Sequence, residues 1–235
     1  MNTVEVRRAT PADLDAVATT LDLAFRDDPV SSWLFPDAAD RARLHPGFMR
    51  LFAEAALEAG EVYLAGDAYG AAVWFPVDPA EPSDDPDFNE LLAAHCGPYA
   101  ERLRGMLGTM EAHHPTAEAH LHLAFIGVRP DMQNRGIGSA LLRHQFRRLD
   151  ADGRPAYLES SSPRSIPLYT REGFERRGRL QAAKRQTGAG PHVAQAPLTR
   201  ARRAGLIELR QDLASPARHS PSCPRISATE SVVPA

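Results

Sequence analysis

Cysteine and long apolar runs are both scarce in this sequence, and each shortage argues against a class of protein. Only two of the 235 residues are cysteine, Cys96 and Cys223, and they lie far apart in unlike surroundings. A disulfide framework is therefore not expected. No apolar run is long enough to cross a bilayer, and the first residues lack the apolar core of a signal peptide. We therefore expect a cytoplasmic protein that does not contact a membrane.

The usual metal and nucleotide motifs are missing as well. The sequence has nine histidines, but His113-His114 and His120-x-His122 have no partnering cysteine and form no H-E-x-x-H motif. We therefore predict no metal. There is no G-x-G-x-x-G and no Gly-Lys-Ser/Thr, which argues against dinucleotide-binding and P-loop proteins.

Acidic residues become rare toward the C-terminus. Residues 1–175 contain 27 acidic and 16 basic residues, whereas residues 176–235 contain 3 acidic and 11 basic ones. A basic tail could contact nucleic acid, but this one has no aromatic residue to stack on bases, so we do not expect that partner. We predict one folded domain over residues 1–185 and a poorly patterned, basic, largely disordered extension over 186–235.

The most informative stretch of the sequence is a strand, a glycine turn and a helix, in that order. Residues 121–128 are almost continuously apolar, which is typical of a buried strand. Residues 129–136 form a polar turn, and 138–149 have helical periodicity. The first turn of a helix has unpaired N–H groups that attract phosphate, and Gly136 and Gly138 let the backbone approach such an anion.

These residues resemble the GNAT superfamily of acyl-CoA-dependent N-acetyltransferases. The family signature, Gln/Arg-x-x-Gly-x-Gly/Ala after a V-x-P turn, is present as Gln133-Asn-Arg-Gly-Ile-Gly138 after Val128-Arg-Pro130. The family's Tyr before Gly-Phe is present in Leu168-Tyr-Thr-Arg-Glu-Gly-Phe174. The resemblance covers roughly residues 4–180. Within the superfamily the chain is most similar to the puromycin N-acetyltransferase-like group.

The resemblance implies an α/β (α+β) fold with a mixed, mostly antiparallel, twisted sheet flanked by helices. A parallel, splayed strand pair within that sheet binds the CoA. It also implies acetyl-CoA as co-substrate. The residues expected to bind acetyl-CoA are Ile126, Gly127, Val128, Gln133, Asn134, Arg135, Gly136, Ile137, Gly138, Ser139 and Ser165.

The expected reaction moves an acetyl group to a primary amine by direct attack in a ternary complex. The resemblance implies that Tyr169 is the acid that protonates the leaving thiolate. Alternatively, Tyr169 only packs its ring and hydrogen-bonds the CoA sulfur. Glu159, on the strand facing the gap, is the first candidate for a base, and it could equally bind the ammonium group without taking its proton. His122 and His120 on the central strand are further candidates, one of which could act through water, and His122 is expected to contact the substrate.

The acceptor is expected to be a small-molecule amine. The loop over residues 27–37 contains Trp33 and Phe35, which either contact that substrate or anchor the loop in the core. Two alternatives stay open: a protein or peptide N-acetyltransferase, and a non-catalytic regulatory module that binds acyl-CoA. The sequence also leaves open whether the protein forms a homodimer and whether the last sheet strand forms, since 192–199 contains Pro197.

Overall fold

A computed structural model describes residues 4–80, 86–176, 180–181 and 194–200. Its strands are β1 (Val6–Arg8), β2 (Glu61–Ala65), β3 (Gly70–Val77), β4 (His120–Val128), β5 (Ala156–Ser160), β6 (Glu175–Arg176), β7 (Leu180–Gln181) and β8 (Ala194–Arg200). Its α-helices are α1 (Leu14–Phe25), α2 (Pro29–Leu34), α3 (Ala38–Ala59), α4 (Pro86–Cys96), α5 (Ala100–Glu111), α6 (Ile137–Asp152) and α7 (Ile166–Arg171).

The strands form one mixed sheet in the order β1-β2-β3-β4-β5-β8-β6, with β7 paired to β8. The β4–β5 pair is parallel, and the other pairs are antiparallel. A parallel pair needs a crossover, and α6 supplies it between β4 and β5. The predicted fold class, a mostly antiparallel sheet with one parallel pair flanked by helices, is confirmed.

The parallel pair is joined only at its start. Register partners exist at Leu121↔Ala156 and His122↔Tyr157, although β4 continues to Val128. On its other side β4 pairs with β3, and the register there skips Ala124, which is a β-bulge. The two strands therefore separate beyond His122, as the sequence predicts, and leave a gap in the sheet.

Two hydrophobic clusters cover the two faces of the sheet. In β3, Ala71 and Val73 belong to one cluster, and Ala72 and Trp74 belong to the other, because successive strand residues point to opposite faces. The first cluster contains side chains of α1, α3, α4 and α5, and the second contains those of α6 and α7. Among the described residues, no helix has the length and apolar content that a membrane crossing requires.

Two parts of the fold differ from the sequence prediction or complete it. Residues 29–34, which the sequence places in a loop, form the short helix α2, whose N-cap Asp28 accepts a hydrogen bond from the Val30 N–H at 2.9 Å. The last strand, left open by the sequence, is present as β8 and pairs with β5 in spite of Pro197. The sheet therefore continues beyond residue 185, into the stretch predicted as an extension. Residues 201–235 lie outside the described part of the chain.

Candidate active site

A cleft of about 1240 Å³ opens where β4 and β5 separate. Its wall includes residues of α1, α2, α3, β4, β5 and α7, together with the turn that leads into α6. A single drug-sized ligand occupies a pocket of about 300–1000 Å³. The larger volume here can hold two reactants.

The glycine turn presents the open N-terminus of α6 to this cleft. Gly136 is the N-cap and has φ 79°, a left-handed conformation that favours glycine, and no side chain caps the helix. A Cβ on Gly138 would lie 3.2 Å from Leu168 Cδ2, so the turn also packs closely against α7. Uncapped N–H groups at the positive end of a 16-residue helix fit an anion such as a pyrophosphate.

Most of the residues predicted to bind the co-substrate lie on the cleft wall. Arg135 is the exception, because its guanidinium turns to the Asp131 carbonyl oxygen at 3.3 Å. Ser165 lies on the wall at the N-cap of α7, but its side chain does not cap that helix. The wall residues among those predicted are Ile126, Gly127, Val128, Gln133, Asn134, Gly136, Ile137, Gly138, Ser139 and Ser165.

Tyr169 reaches the cleft from α7 and is 7% exposed. Its ring packs edge-on against Phe174, with the centroids 5.9 Å apart. Burial raises the pKa of Tyr169 well above its usual range, and the nearby charge of Asp28 raises it further. The phenol is therefore protonated at neutral pH and can donate a proton.

Asp28 links the first half of the chain to the loop after β5. Its carboxylate accepts a hydrogen bond from the Ser161 hydroxyl at 2.7 Å, and both residues line the cleft. Burial raises the pKa of Asp28, although the bonds from Ser161 and Val30 act against that rise. This contact fixes the start of α2 beside Tyr169.

Glu159 lies at the acceptor end of the cleft, on β5. Its side chain is 3% exposed, and Oε2 lies 2.8 Å from Nε2 of His122 on β4. Burial alone would raise the pKa of Glu159, but the neighbouring His122 and His114 hold it below its usual range. Glu159 is therefore a charged carboxylate at neutral pH, better suited to binding a cation than to taking a proton.

A histidine cluster surrounds this carboxylate. Nδ1 of His114, in the turn before β4, lies 3.9 Å from Glu159 Oε1. Nε2 of His114 lies 2.9 Å from Nε2 of His120, whose Nδ1 lies 3.0 Å from the Glu118 carbonyl oxygen. His114 and His122 line the cleft, whereas His120 does not.

Phenylalanines line the α-helical side of the cleft and form a connected set. The rings of Phe52 and Phe125 meet with centroids 5.0 Å apart, and Phe52 also meets Phe48 at 5.2 Å and Phe88 at 5.3 Å. Phe25 meets Phe125 at 5.6 Å, and all five rings line the cleft. We name this set the phenylalanine wall. It offers an apolar surface with fixed ring geometry.

The two aromatic residues predicted from the loop lie elsewhere. Phe35 is fully buried against Tyr99 and His45, and Trp33 packs under the Arg102 guanidinium at 5.7 Å. Neither lines the cleft. Their packing agrees with the alternative that they anchor the loop in the core, and contact with the substrate stays a prediction.

Sequence reasoning did not identify several residues that the fold brings to the cleft. Arg164 and Arg171, at either end of the segment that contains α7, add positive charge to the wall. His114 and Asp28 approach Glu159 and Tyr169 from turns far away in the chain. Of these residues, only the two arginines could have been found from the sequence, because they lie in or beside the segment that contains Tyr169. The other contacts depend on tertiary structure.

Known structures share this architecture. A polyamine N-acetyltransferase of Drosophila melanogaster superposes with a TM-score of 0.62 at 19% identity, covering 84% of this chain and 99% of that one. Arylalkylamine N-acetyltransferase 2 of Aedes aegypti gives 0.61 at 11% identity, covering 85% and 99%. A histone acetyltransferase HPA2-related protein of Corynebacterium glutamicum gives 0.57 at 22% identity, covering 87% and 99%. Identities this low establish the fold alone.

The family model for the acetyltransferase (GNAT) family matches residues 67–174. That range contains most of the residues of the cleft wall, among them those of the central strand and the glycine turn, Glu159 and Tyr169. The sequence motif, the splayed strand pair and the shared fold all agree with this match. The chain therefore contains a domain of the GNAT family of acetyltransferases.

Proposed function

We propose that this acetyltransferase moves the acetyl group of acetyl-CoA to the primary amine of a small molecule that carries an apolar body. Both substrates bind together, and the amine attacks directly. The observation that carries the proposal is that one cleft contains the uncapped start of α6, the Tyr169 side chain and the Glu159–His122 pair.

The residues of the glycine turn fit the co-substrate. The N–H groups at the start of α6 would hold the pyrophosphate, and a Cβ at Gly138 would make a tight contact of 3.2 Å with Leu168 Cδ2. Arg164 and Arg171 would add positive charge for the remaining phosphate. Acetyl-CoA, when bound, supplies the activated acetyl group.

Glu159 and His122 act on the amine. An alkylamine has a pKa of about 10 and arrives as an ammonium ion, which must lose a proton before it can attack. The charged Glu159 carboxylate binds the ammonium and orients the His122 ring, with which it shares a 2.8 Å contact. His122 then accepts the proton, directly or through water. Of the two roles left open for Glu159, its lowered pKa favours binding over proton transfer.

Tyr169 acts on the leaving group. The thiolate that leaves has a conjugate acid of pKa ~8.5, so a proton delivered as the C–S bond breaks lowers the barrier. The phenol carries its proton at neutral pH, as a tyrosine with an ordinary pKa of about 10 also does, and this is the form that can donate. Holding both reactants in one cleft supplies the rest of the rate, because it makes their encounter intramolecular.

The phenylalanine wall supports a small amine with an apolar or aromatic body. Its five rings line the same cleft as the charged Glu159 carboxylate. A flexible polyamine would gain little from such a wall. Proteins with this fold include named arylalkylamine and polyamine N-acetyltransferases, which agrees with an amine acceptor of either kind.

Thiol release from acetyl-CoA against an amine panel tests the proposal. The panel contains phenethylamine, puromycin-like aminonucleosides, spermidine, an aminoglycoside and peptides with free N-termini. We expect amines with an aromatic body to be acetylated with kcat/KM at least tenfold above that of spermidine. Turnover confined to peptides would support the protein N-acetyltransferase alternative and refute the small-molecule acceptor.

A further inference from the structure

Three donor side chains meet at one point of the cleft wall. They are His114 from the turn before β4, His122 from β4 and Glu159 from β5, and their ligand atoms all lie within 4.8 Å of one another. Their side chains are 14%, 16% and 3% exposed, so they are shielded but open to the cleft. Two imidazoles with one carboxylate form a donor set that zinc binds in proteins.

The hydrogen bonds behind His114 prepare it as a ligand. A carbonyl oxygen only accepts, so His120 Nδ1 donates to the Glu118 oxygen at 3.0 Å. With both rings neutral, the 2.9 Å contact between the two Nε2 atoms makes His114 the donor and His120 the acceptor. Nδ1 of His114 then carries a lone pair toward Glu159. Metal-binding histidines typically make such a hydrogen bond with the ring nitrogen that does not bind the metal, and this bond fixes the orientation of the ring.

Glu159 presents a second lone pair that lacks a partner. Within the described residues, its Oε1 is buried and makes no hydrogen bond, and Nδ1 of His114 lies 3.9 Å from it. A buried carboxylate oxygen without a hydrogen bond is stabilised by a cation or a donor beside it. The unpaired, buried Oε1 is a second observation beside the proximity of the three donor side chains, and it points to a ligand at the same place.

The distances fit a single small cation. Zinc bonds of about 2.0–2.1 Å to nitrogen and oxygen place neighbouring tetrahedral ligands about 3.4 Å apart. The contacts here are 2.8 Å for His122 Nε2 to Glu159 Oε2 and 3.9 Å for His114 Nδ1 to Glu159 Oε1, and one donor atom from each of the three residues lies within 4.8 Å of the others. Small rotations of the rings would equalise them. The fourth position faces the cleft.

We propose that His114, His122 and Glu159 form a site for one divalent cation of the zinc class. The sequence predicts no metal because the three donors come from separate elements and follow no spacing motif. The ion replaces the proton shared by His122 and Glu159 and occupies the place of the ammonium group. We expect bound zinc to inhibit acetyl transfer in competition with the amine and not with acetyl-CoA. This expectation, unlike the metal site itself, rests on the proposed function.

Metal titration of the chelator-treated full chain tests the site without any substrate. Co²⁺ serves as a spectroscopic probe and Zn²⁺ is titrated by calorimetry, with His114→Ala and His114→Phe compared to the wild type. His114→Phe keeps a ring against Tyr157 and His122 but has no lone pair. The matched control is His113→Ala, since His113 is adjacent and exposed and its Nδ1 instead contacts the Thr109 carbonyl oxygen.

We expect an intense visible Co²⁺ spectrum from a low-coordinate site, and Zn²⁺ affinity at least tenfold weaker in both His114 variants but unchanged in His113→Ala. Stoichiometry alone does not decide, because His192, His219 and Cys223 can also bind zinc. Equal Zn²⁺ affinity in the wild type and His114→Phe overturns the proposal, and so does a wild type that binds no metal. If no amine is acetylated, the proposed function fails while the titration still reports on the site.

Discussion

Replacing Glu159 by Gln removes one negative charge from the acceptor end of the cleft with little change of shape. The charge lies 2.8 Å from His122 Nε2 and 3.9 Å from His114 Nδ1. Because the side chain is only 3% exposed, water cannot restore the lost interaction. An arriving ammonium group would then meet a neutral amide instead of a carboxylate.

The size of the effect follows from the geometry of that contact. Two unit charges 4 Å apart attract by about 4 kcal/mol at an effective dielectric constant near ~20. Withdrawing both groups from water reduces the net value of a charge-assisted hydrogen bond to about 1.5–3 kcal/mol. At about 1.4 kcal/mol per factor of ten, kcat/KM for the amine should fall by about 10- to 150-fold. KM for acetyl-CoA should stay close to its wild-type value.

Steady-state thiol release with a reactive amine measures this loss. Glu111→Gln is the matched control, because Glu111 lines the same cleft but is exposed to solvent. We expect the control to keep kcat/KM within about twofold of the wild type, since an exposed charge is screened by water. A thermal melt of each variant checks that it is folded. Wild-type kcat/KM in Glu159→Gln would refute the ammonium-binding role, and an equal loss in Glu111→Gln would refute its local origin.

Three further predictions concern the leaving group, the packing of the sheet and the pH dependence of stability. In Tyr169→Phe we expect kcat to fall by about 10²-fold while KM for the amine is kept, because only the donated proton is lost; an unchanged kcat would remove the acid role. In Gly127→Ala the new Cβ would lie 2.7 Å from Ala24 Cβ, so we expect a lower melting temperature and a cost of about 1–3 kcal/mol. Gly105→Ala, in α5 with nothing within 4 Å, should not be destabilised, and equal melting temperatures of the two variants would contradict this packing. Burial lowers the pKa of His45, so its stabilising contribution is complete above the unfolded pKa of ~6.5 and is lost as the pH falls. The urea midpoint of unfolding should therefore decrease between pH 8 and pH 5. A His45→Gln variant whose midpoint decreases equally over this pH range would refute the prediction.

The region around the co-substrate could be predicted from sequence because its parts are contiguous. The apolar run before Val128, the glycines at 136 and 138, and the helix that follows lie within 30 residues. Each of them has a local cause: strand burial, a left-handed turn and an open helix start. Helix α3 could be placed over Ala38–Ala59 for a similar reason, since Asp37 caps its start and Gly60 ends it.

The acceptor end of the cleft was decided by tertiary structure. The phenylalanine wall draws rings from α1, α3, α4 and β4, and no spacing in the sequence distinguishes these rings from Phe35, which is buried in the core. The strand β8 contains Pro197, so local propensity argued against it, yet pairing with β5 and the ion pair between Arg200 and Asp150 hold it in the sheet. Long-range pairing overrides local preference when many backbone hydrogen bonds depend on it.

The sequence by itself determined the family, the glycine turn and the choice of Tyr169 and Glu159, because these residues lie in or beside short motifs whose chemistry is local. The tertiary structure decided what surrounds them. It lowered the pKa of Glu159 by placing His122 and His114 beside the buried carboxylate, and it raised the pKa of Tyr169 by burying the phenol near Asp28. Burial and distance between residues far apart in the chain set a pKa, and neither quantity is encoded at a single position of the sequence.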